Sequence, residues 1–334
     1  HGDANYVPNK NVTFIKGDVR NARDVREALK GVDAVYHLAA ETGTGQSMYE
    51  ISRYVDVNEI GTAVLLEELA KCEKKDIQFI LASSRSIYGE GAYRQNNGDI
   101  FQPQPRSYDQ LNRGIWDFLD IDGNVASPIP TPSNLSPQPG SIYAATKYSQ
   151  EMLATIACSS KGIPCTILRF QNVYGEGQSL RNPYTGIISI FYNRMRQNLP
   201  INIFEDGQES RDFVHVSDVV DALHACLDRD QLYKPLIANI GSGVPTSVAR
   251  LSKILSEISG FKASIDITGD FRVGDIRHCF ADLTCAERGI NFSPKVSLND
   301  GLSRFTSWAA NQPEYKDKSK LALDELAKQG LARK

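Results

Sequence analysis

Short apolar runs alternate along this chain with stretches of helical periodicity, and this pattern restricts the fold more than any other feature. NVTFIKGDVRN is expected to be a strand ending at Gly17-Asp18, and Ala22 to Leu29 a helix closed by Gly31. AVYHLAA follows as a strand, then a helix across Asn58 to Ala70, then the strands IQFILASS and CTILRFQNVYG. Runs this short are strands rather than helices, and their alternation with helices predicts βα units around a mainly parallel sheet. Open sheets of this kind bind ligands outside the carboxyl ends of their strands. Asp18, His37 to Glu41, Ser83-Ser84 and Arg169 to Asn172 all fall at such ends, so one shared crevice is expected.

With 334 residues, the chain can form one large domain or two fused ones around a substantial core. Its net charge of -3 gives no electrostatic reason to expect nucleic acid or an anionic membrane as partner. The six cysteines are dispersed without a C-x-x-C pair, which reads as reduced thiols of a cytoplasmic protein; no metal site is expected. No apolar run reaches the roughly 20 residues of a membrane span, and no signal peptide is seen. Residues 101–140 carry seven prolines, from Pro103 to Pro139, and are expected to form a long substrate-covering loop with one short helix. The tail from Pro313 reads as a solvated helix with little chemistry.

Tyr143-Ala-Ala-Thr-Lys147 puts a phenol and an ammonium one helical turn apart on one face. The lysine stabilises a phenolate there, which lets tyrosine act as a base near neutral pH. The spacing alone is weak, because about one Y-x-x-x-K is expected by chance. Tyr6 and Lys10 match it too, although Pro8 opposes a helix between them. A helix-surface pair is the plain alternative for Tyr143.

Context narrows the choice. Ser83-Ser84-Arg85-Ser86-Ile87-Tyr88-Gly89 follows the buried run FILA, YAATK comes after a loop, and LRFQNVYGEGQ follows in turn. With GDVRN, HLAAETG, GQESRDFVHVSDVVDA and RVGDIRHCFAD in the same order, the chain resembles the extended short-chain dehydrogenase/reductase family over about residues 10–310. Within it, the nucleotide-sugar epimerases are most similar. The resemblance implies a Rossmann-like doubly wound α/β fold with a smaller α/β substrate domain, and NAD as cofactor. It also implies a nucleotide-diphosphate sugar as substrate and a homodimer through the Asn58–Ala70 helix and the helix after Tyr143. The dinucleotide domain would take residues 1–171 and 213–246, the substrate domain 172–212 and 247–312, and the tail 313–334.

Residue by residue, the resemblance makes Tyr143 the acid and base, Lys147 its partner at the nicotinamide ribose, and Ser84 the hydroxyl bonding the reacting oxygen. Asp18 and Val19 match adenine contacts, and Ala39, Ala40 and Thr42 the turn beside the adenosine and diphosphate. Asn58, Ser83 and Phe170 match further cofactor-side positions. Arg85, Asn172, Arg211, Arg272 and Asp275 match the substrate side, where guanidinium forks suit phosphate oxygens. His278 is as well read as a core or capping residue, Arg211 as a surface pair with Glu209 or Asp212, and His37 as a satisfied strand histidine. The family's G-x-x-G-x-x-G turn and the residue that selects NAD or NADP are absent, so an N-terminal βα unit is expected to be missing from this sequence.

Family dehydratases carry Asp-Glu directly after this Ser or Thr, whereas Arg85 and Ser86 stand here, which points away from dehydration. Epimerisation at C4 needs only the tyrosine, the serine and nicotinamide. ETGTGQSMYEI and the enlarged 101–140 insertion resemble dTDP-L-rhamnose 4-epimerases, which make dTDP-6-deoxy-L-talose. UDP-hexose 4-epimerisation, CDP-sugar 2-epimerisation and 4-keto-sugar reduction stay open, as does a non-catalytic NAD-binding role.

Overall fold

The computed structural model describes residues 10–74, 76–182, 186–228, 234–330 and 332–333. Four strands, Ala34–His37, Gln78–Ser84, Cys165–Phe170 and Leu236–Ile240, lie in that spatial order, and all three pairings are parallel. Parallel neighbours need crossover connections, and helices supply them.

Side-chain alternation explains why these strands are apolar almost throughout. Phe79, Leu81 and Ile167 pack on one face with Val25, Leu65, Leu69, Ala154 and Cys158 from three helices. Ile80, Leu168, Ala238 and Ile240 point the other way, onto Val219, Ala222, Ala286 and Phe292. Fully burying one such side chain stabilises the fold by about 1.5–3 kcal/mol. The Rossmann-like sheet expected from the sequence is therefore present.

Val12–Ile15 forms no strand, contrary to expectation. Among the described residues no ladder pairs its backbone groups, and Val12, Phe14 and Ile15 are exposed. The helix expected from Asn58 starts earlier, with a π-helical turn over Val55–Ile60 that continues as α-helix through Gly61–Ala70. Gly61 needs to be glycine, because a Cβ there would sit 2.6 Å from the Val19 side chain.

A second layer packs beyond the sheet's carboxyl edge. Strand Ser210–His215 lies between Pro245–Ser247 and His278–Cys279 and also pairs with Asn172–Tyr174. Its core joins Phe191, Tyr192, Leu251, Leu255, Leu302 and Phe305 from three amphipathic helices.

The 101–140 segment is a small folded unit rather than a covering loop. It has the helix Tyr108–Asn112, and it joins the preceding residues in a three-stranded antiparallel sheet where Ala92–Arg94 lies between Ile100–Phe101 and Ser127–Ile129. Tyr93, Phe118 and Ala126 form its own core, and Pro128 sits on an edge strand where a missing N–H is tolerated. A buried ion pair from Arg106 to Glu205 (2.7 Å) and a partly exposed one from Arg277 to Asp117 (2.8 Å) tie it to the second layer. Among the described residues no helix is long and apolar enough to cross a membrane.

Candidate active site

Ser83 and Ser84 end the Gln78–Ser84 strand, beside Phe170 at the end of its neighbour. Ser84 turns the chain into a short 3-10 helix, Arg85–Tyr88, by accepting a hydrogen bond from the Ser86 amide. Across the crevice the long helix Ile142–Lys161 begins at Ser141, whose side chain caps the Ala144 amide. Tyr143 therefore lies in the first turn and Lys147 one turn deeper.

Tyr143 is set deep in the crevice with part of its surface open. Burial pushes its phenol above the ordinary value, while a hydrogen bond with Ser84 and the charge of Arg85 act the other way. Its backbone amide donates to Ser47 Oγ (3.0 Å), and the Tyr54 ring meets it edge-on at 6.5 Å. Tyr6, the other tyrosine with this spacing, lies outside the described residues.

Lys147 is buried and donates to the Ala82 carbonyl (2.9 Å). Burial brings its ammonium down to about 8, with the Glu151 carboxylate opposing that change. Glu151, one turn further along, accepts from Ser83 Oγ and from Arg169 through Nε (2.9 Å) and Nη2 (2.7 Å). Arg169 also donates to the Tyr88 hydroxyl (2.8 Å). Motif reading passed over Glu151, although its spacing from Lys147 already put those two on one helix face.

The loop after Ala34–His37 carries Ala39, Ala40 and Thr42. Fully buried Asn58 pins it, accepting from the Glu41 amide (2.8 Å) and donating to the Glu41 carbonyl (3.1 Å). Its amide also donates to Thr146 Oγ1 (2.9 Å), and the Tyr54 hydroxyl donates to the Thr42 carbonyl (2.7 Å). Asn58 thus shapes this loop rather than facing open space. Val19 packs under the first helices, and Asp18 is held by Arg20 at 2.6 Å, which brings its carboxyl down to about 2. His37 is a satisfied strand histidine: it is buried, shares a hydrogen bond with Thr62 (2.7 Å) and is pushed by burial to about 4.

These groups fit a nicotinamide dinucleotide. An ammonium has three donors, and Lys147 uses one on the protein, leaving two for ribose hydroxyls. The small side chains of Ala39 and Ala40 leave the strand end open beside it.

On the second layer, Arg211 is no surface pair with Glu209 or Asp212. It is buried and bonds Asp275 at 2.9 Å. Burial would raise the Asp275 carboxyl, but Arg211, Arg272, Arg106 and Arg85 hold it below the usual range. Arg272 lies over the Phe204 ring at 4.7 Å, and its buried Nε has no partner among the described residues. Arg85 donates through Nε to Asn172 Oδ1 (2.8 Å). His278 is partly buried and shares a hydrogen bond with Ser210 Oγ (2.8 Å).

A cavity of about 530 Å³ connects Asn172, Arg211, Arg272 and Asp275. The tail expected to be solvated forms its outer wall: helix Ser319–Lys328 contributes Lys320, Leu323 and Leu326. The buried face of Ala322 and Leu326 docks the helix there, and Arg194 secures its start through Asp317 (2.6 Å) and Ser319 (2.9 Å). The 101–140 unit instead braces the site from behind, with Arg106 donating to the Asp275 carbonyl (2.8 Å).

Residues 122–241 match the profile of the NAD dependent epimerase/dehydratase family, and residues 2–108 that of GDP-mannose 4,6 dehydratase. The chain is 38% identical over 286 residues to dTDP-L-rhamnose 4-epimerase of Burkholderia thailandensis, covering 85% of this chain and 77% of the relative. UDP-glucose 4-epimerase of Thermotoga maritima, solved with UDP-glucose, superposes with a TM-score of 0.73 at 29% identity, over 91% of this chain and 86% of that one. UDP-glucuronic acid 4-epimerase of Bacillus cereus, solved with UDP-glucuronic acid and NAD, gives 0.70 at 27% identity, over 90% and 82%.

Proposed function

The chain belongs to the NAD dependent epimerase/dehydratase family and is an NAD-dependent nucleotide-sugar epimerase, and we propose that it inverts C4 of dTDP-L-rhamnose to give dTDP-6-deoxy-L-talose. The observation that carries the chemistry is the convergence of Ser84 at its strand end with Tyr143 and Lys147 of the Ile142–Lys161 helix, while Arg211, Asp275 and Asn172 line the cavity. The 38% identical relative supports the choice of sugar. The UDP-sugar complexes of the structural neighbours favour UDP-hexose as the second reading.

In this reading, Tyr143 as phenolate takes the proton of the 4-hydroxyl while Ser84 holds that oxygen. NAD, when bound, would supply the acceptor and donor for the C4 hydride. Lys147 keeps its ammonium beside the ribose, and Ala39, Ala40, Thr42, Ser83 and Phe170 line the cofactor side, with Asp18 and Val19 towards the adenine. Arg211 and Arg272 anchor the diphosphate while the 4-keto sugar turns over. Tyr143 then gives the proton back, so the cofactor is regenerated. The absence of carboxylates at Arg85 and Ser86 supports epimerisation over dehydration.

Incubation with dTDP-L-rhamnose and with UDP-glucose, read by NMR, tests this. Conversion of the first without added nicotinamide is the expected result; conversion of UDP-glucose alone would replace the substrate, and net consumption of NADPH would replace the reaction. A homodimer is proposed through the faces carrying Ile60, Met152 and Ile156, exposed by 49%, 45% and 69%. Ile156→Glu should then leave a monomer in sedimentation, and an unchanged dimer would move the interface elsewhere.

A further inference from the structure

Glu209 stands two residues before Arg211, and its carbonyl accepts from the Val248 amide (3.1 Å). It is only 7% exposed, and it lines the cavity of about 530 Å³ together with Arg211, Arg272, Ile203 and Val248. Its carboxyl oxygen Oε2 is buried and has no hydrogen bond among the described residues. The neighbouring guanidinium groups do not supply one. Arg277 Nη1 lies 3.9 Å away, too far for a hydrogen bond, and gives its two hydrogens to Glu205 (3.2 Å) and Asp206 (2.6 Å). Arg211 Nη1 is taken by the Ser210 and Arg277 carbonyls (2.9 and 3.2 Å), and Nη2 donates to Asp275 (2.9 Å). A buried carboxyl oxygen left without a donor is costly, and one on a residue that lines a cavity is most simply completed by what the cavity binds.

We propose that Glu209 is a specificity-determining residue, a hydrogen-bond acceptor for the nucleoside half of the substrate. This deepens the function proposed above and rests on the cavity holding a nucleoside diphosphate. A carboxylate repels phosphate oxygens, so the group it takes is a neutral donor: a sugar hydroxyl or the imide N–H of a uracil or thymine ring. Its surroundings suit such a boundary. Arg211 and Arg272 supply charge for the diphosphate, whereas Phe191, Ile203 and Val248 give the same cavity apolar surface for a flat ring. Asp275 is less available, since its Oδ1 already takes Arg211 and the Ile276 amide (3.0 Å). Burial pushes the Glu209 carboxyl up to about 7, with its own amide and Arg211 acting against this, and a donor from the ligand would favour the charged form.

Calorimetry on the full chain loaded with NAD compares wild type, Glu209→Gln and Glu209→Ala, with dTDP, UDP, CDP and inorganic pyrophosphate as ligands. Glu209→Ala should weaken nucleotide binding roughly tenfold, the loss of one hydrogen bond to a charged group. Glu209→Gln, which keeps an oxygen of the same reach, should lose less. Pyrophosphate carries the diphosphate without a nucleoside, so the variants should bind it as tightly as wild type or more tightly. The pattern among the nucleotides names the donor. A loss confined to dTDP and UDP means the imide N–H, which CDP lacks; a loss in UDP and CDP alone means the 2′-hydroxyl; an equal loss in all three means the 3′-hydroxyl. Unchanged nucleotide binding in Glu209→Ala would overturn the proposal. So would an equal loss of pyrophosphate, which would have Glu209 act only through the arginines. Failure of wild type to bind any nucleotide would sink the reading of the cavity itself, and this proposal with it.

Discussion

The two ends of the crevice are finished to different degrees. At the chemical end the polar groups are partnered within the protein: Glu151 takes Ser83 and Arg169, Lys147 takes the Ala82 carbonyl, and Asn58 takes the Glu41 backbone. At the anchoring end, guanidinium atoms of Arg85 and Arg272 are buried without partners among the described residues, and Arg85, Arg211 and Arg272 surround one carboxylate, Asp275. Geometry needed for proton transfer is preset by the protein, whereas charge at the other end is left for an anionic ligand to complete.

The contrast makes kcat depend on the first end and KM on the second. Tyr143→Phe should lower kcat by about 10³-fold with NAD binding retained; calorimetry beside turnover checks this, and surviving activity would break the assignment. Arg272→Ala should raise KM roughly 10- to 100-fold with kcat nearly constant, the loss of one or two charge-assisted contacts. A fall confined to kcat would erase the distinction between the ends. Leu326→Asp should undock the Ser319–Lys328 helix and raise KM by about fivefold, since part of the cavity wall is lost; a steady KM would make that wall irrelevant to binding.

Glu151→Gln should have the smallest effect on turnover at pH 7, roughly twofold. Lys147 is cationic below about 8, and Glu151 opposes the depression caused by burial. Removing that carboxylate makes the ammonium easier to deprotonate, so activity should begin to fail at lower pH on the alkaline side. A pH–rate profile reads this, and an unmoved alkaline limb would remove Lys147 from the profile.

Much of this was legible in the sequence because burial on two faces leaves an unmistakable apolar run, as in FILA and CTIL. The same reasoning misplaced Val12–Ile15, since apolarity marks a candidate strand but only a neighbouring ladder makes one. Residues 101–140 read as a loop because strands of two or three residues are too short to show a period. Tyr143, Lys147 and Ser84 could be found through ordered motifs. The pairings of Arg169 and Arg106 could not, because their partners Glu151 and Glu205 lie 18 and 99 residues away along the chain. The Ser319–Lys328 helix looked idle since its apolar face is narrow, Ala322 and Leu326 within a run of lysines and acids.

The π-helical turn at Val55–Ile60 makes chain length itself part of the cofactor side. Such a turn accommodates one residue more than an α-helical turn, so its two flanks are phased independently. Losing a single residue there would let the helix close up and rotate one flank by about 100° against the other. Either Asn58 would swing away from Glu41, or Gly61 would leave Val19 and present a side chain in its place. The segment therefore tolerates substitution at its exposed positions far better than deletion, and its length is as much a determinant as its residues.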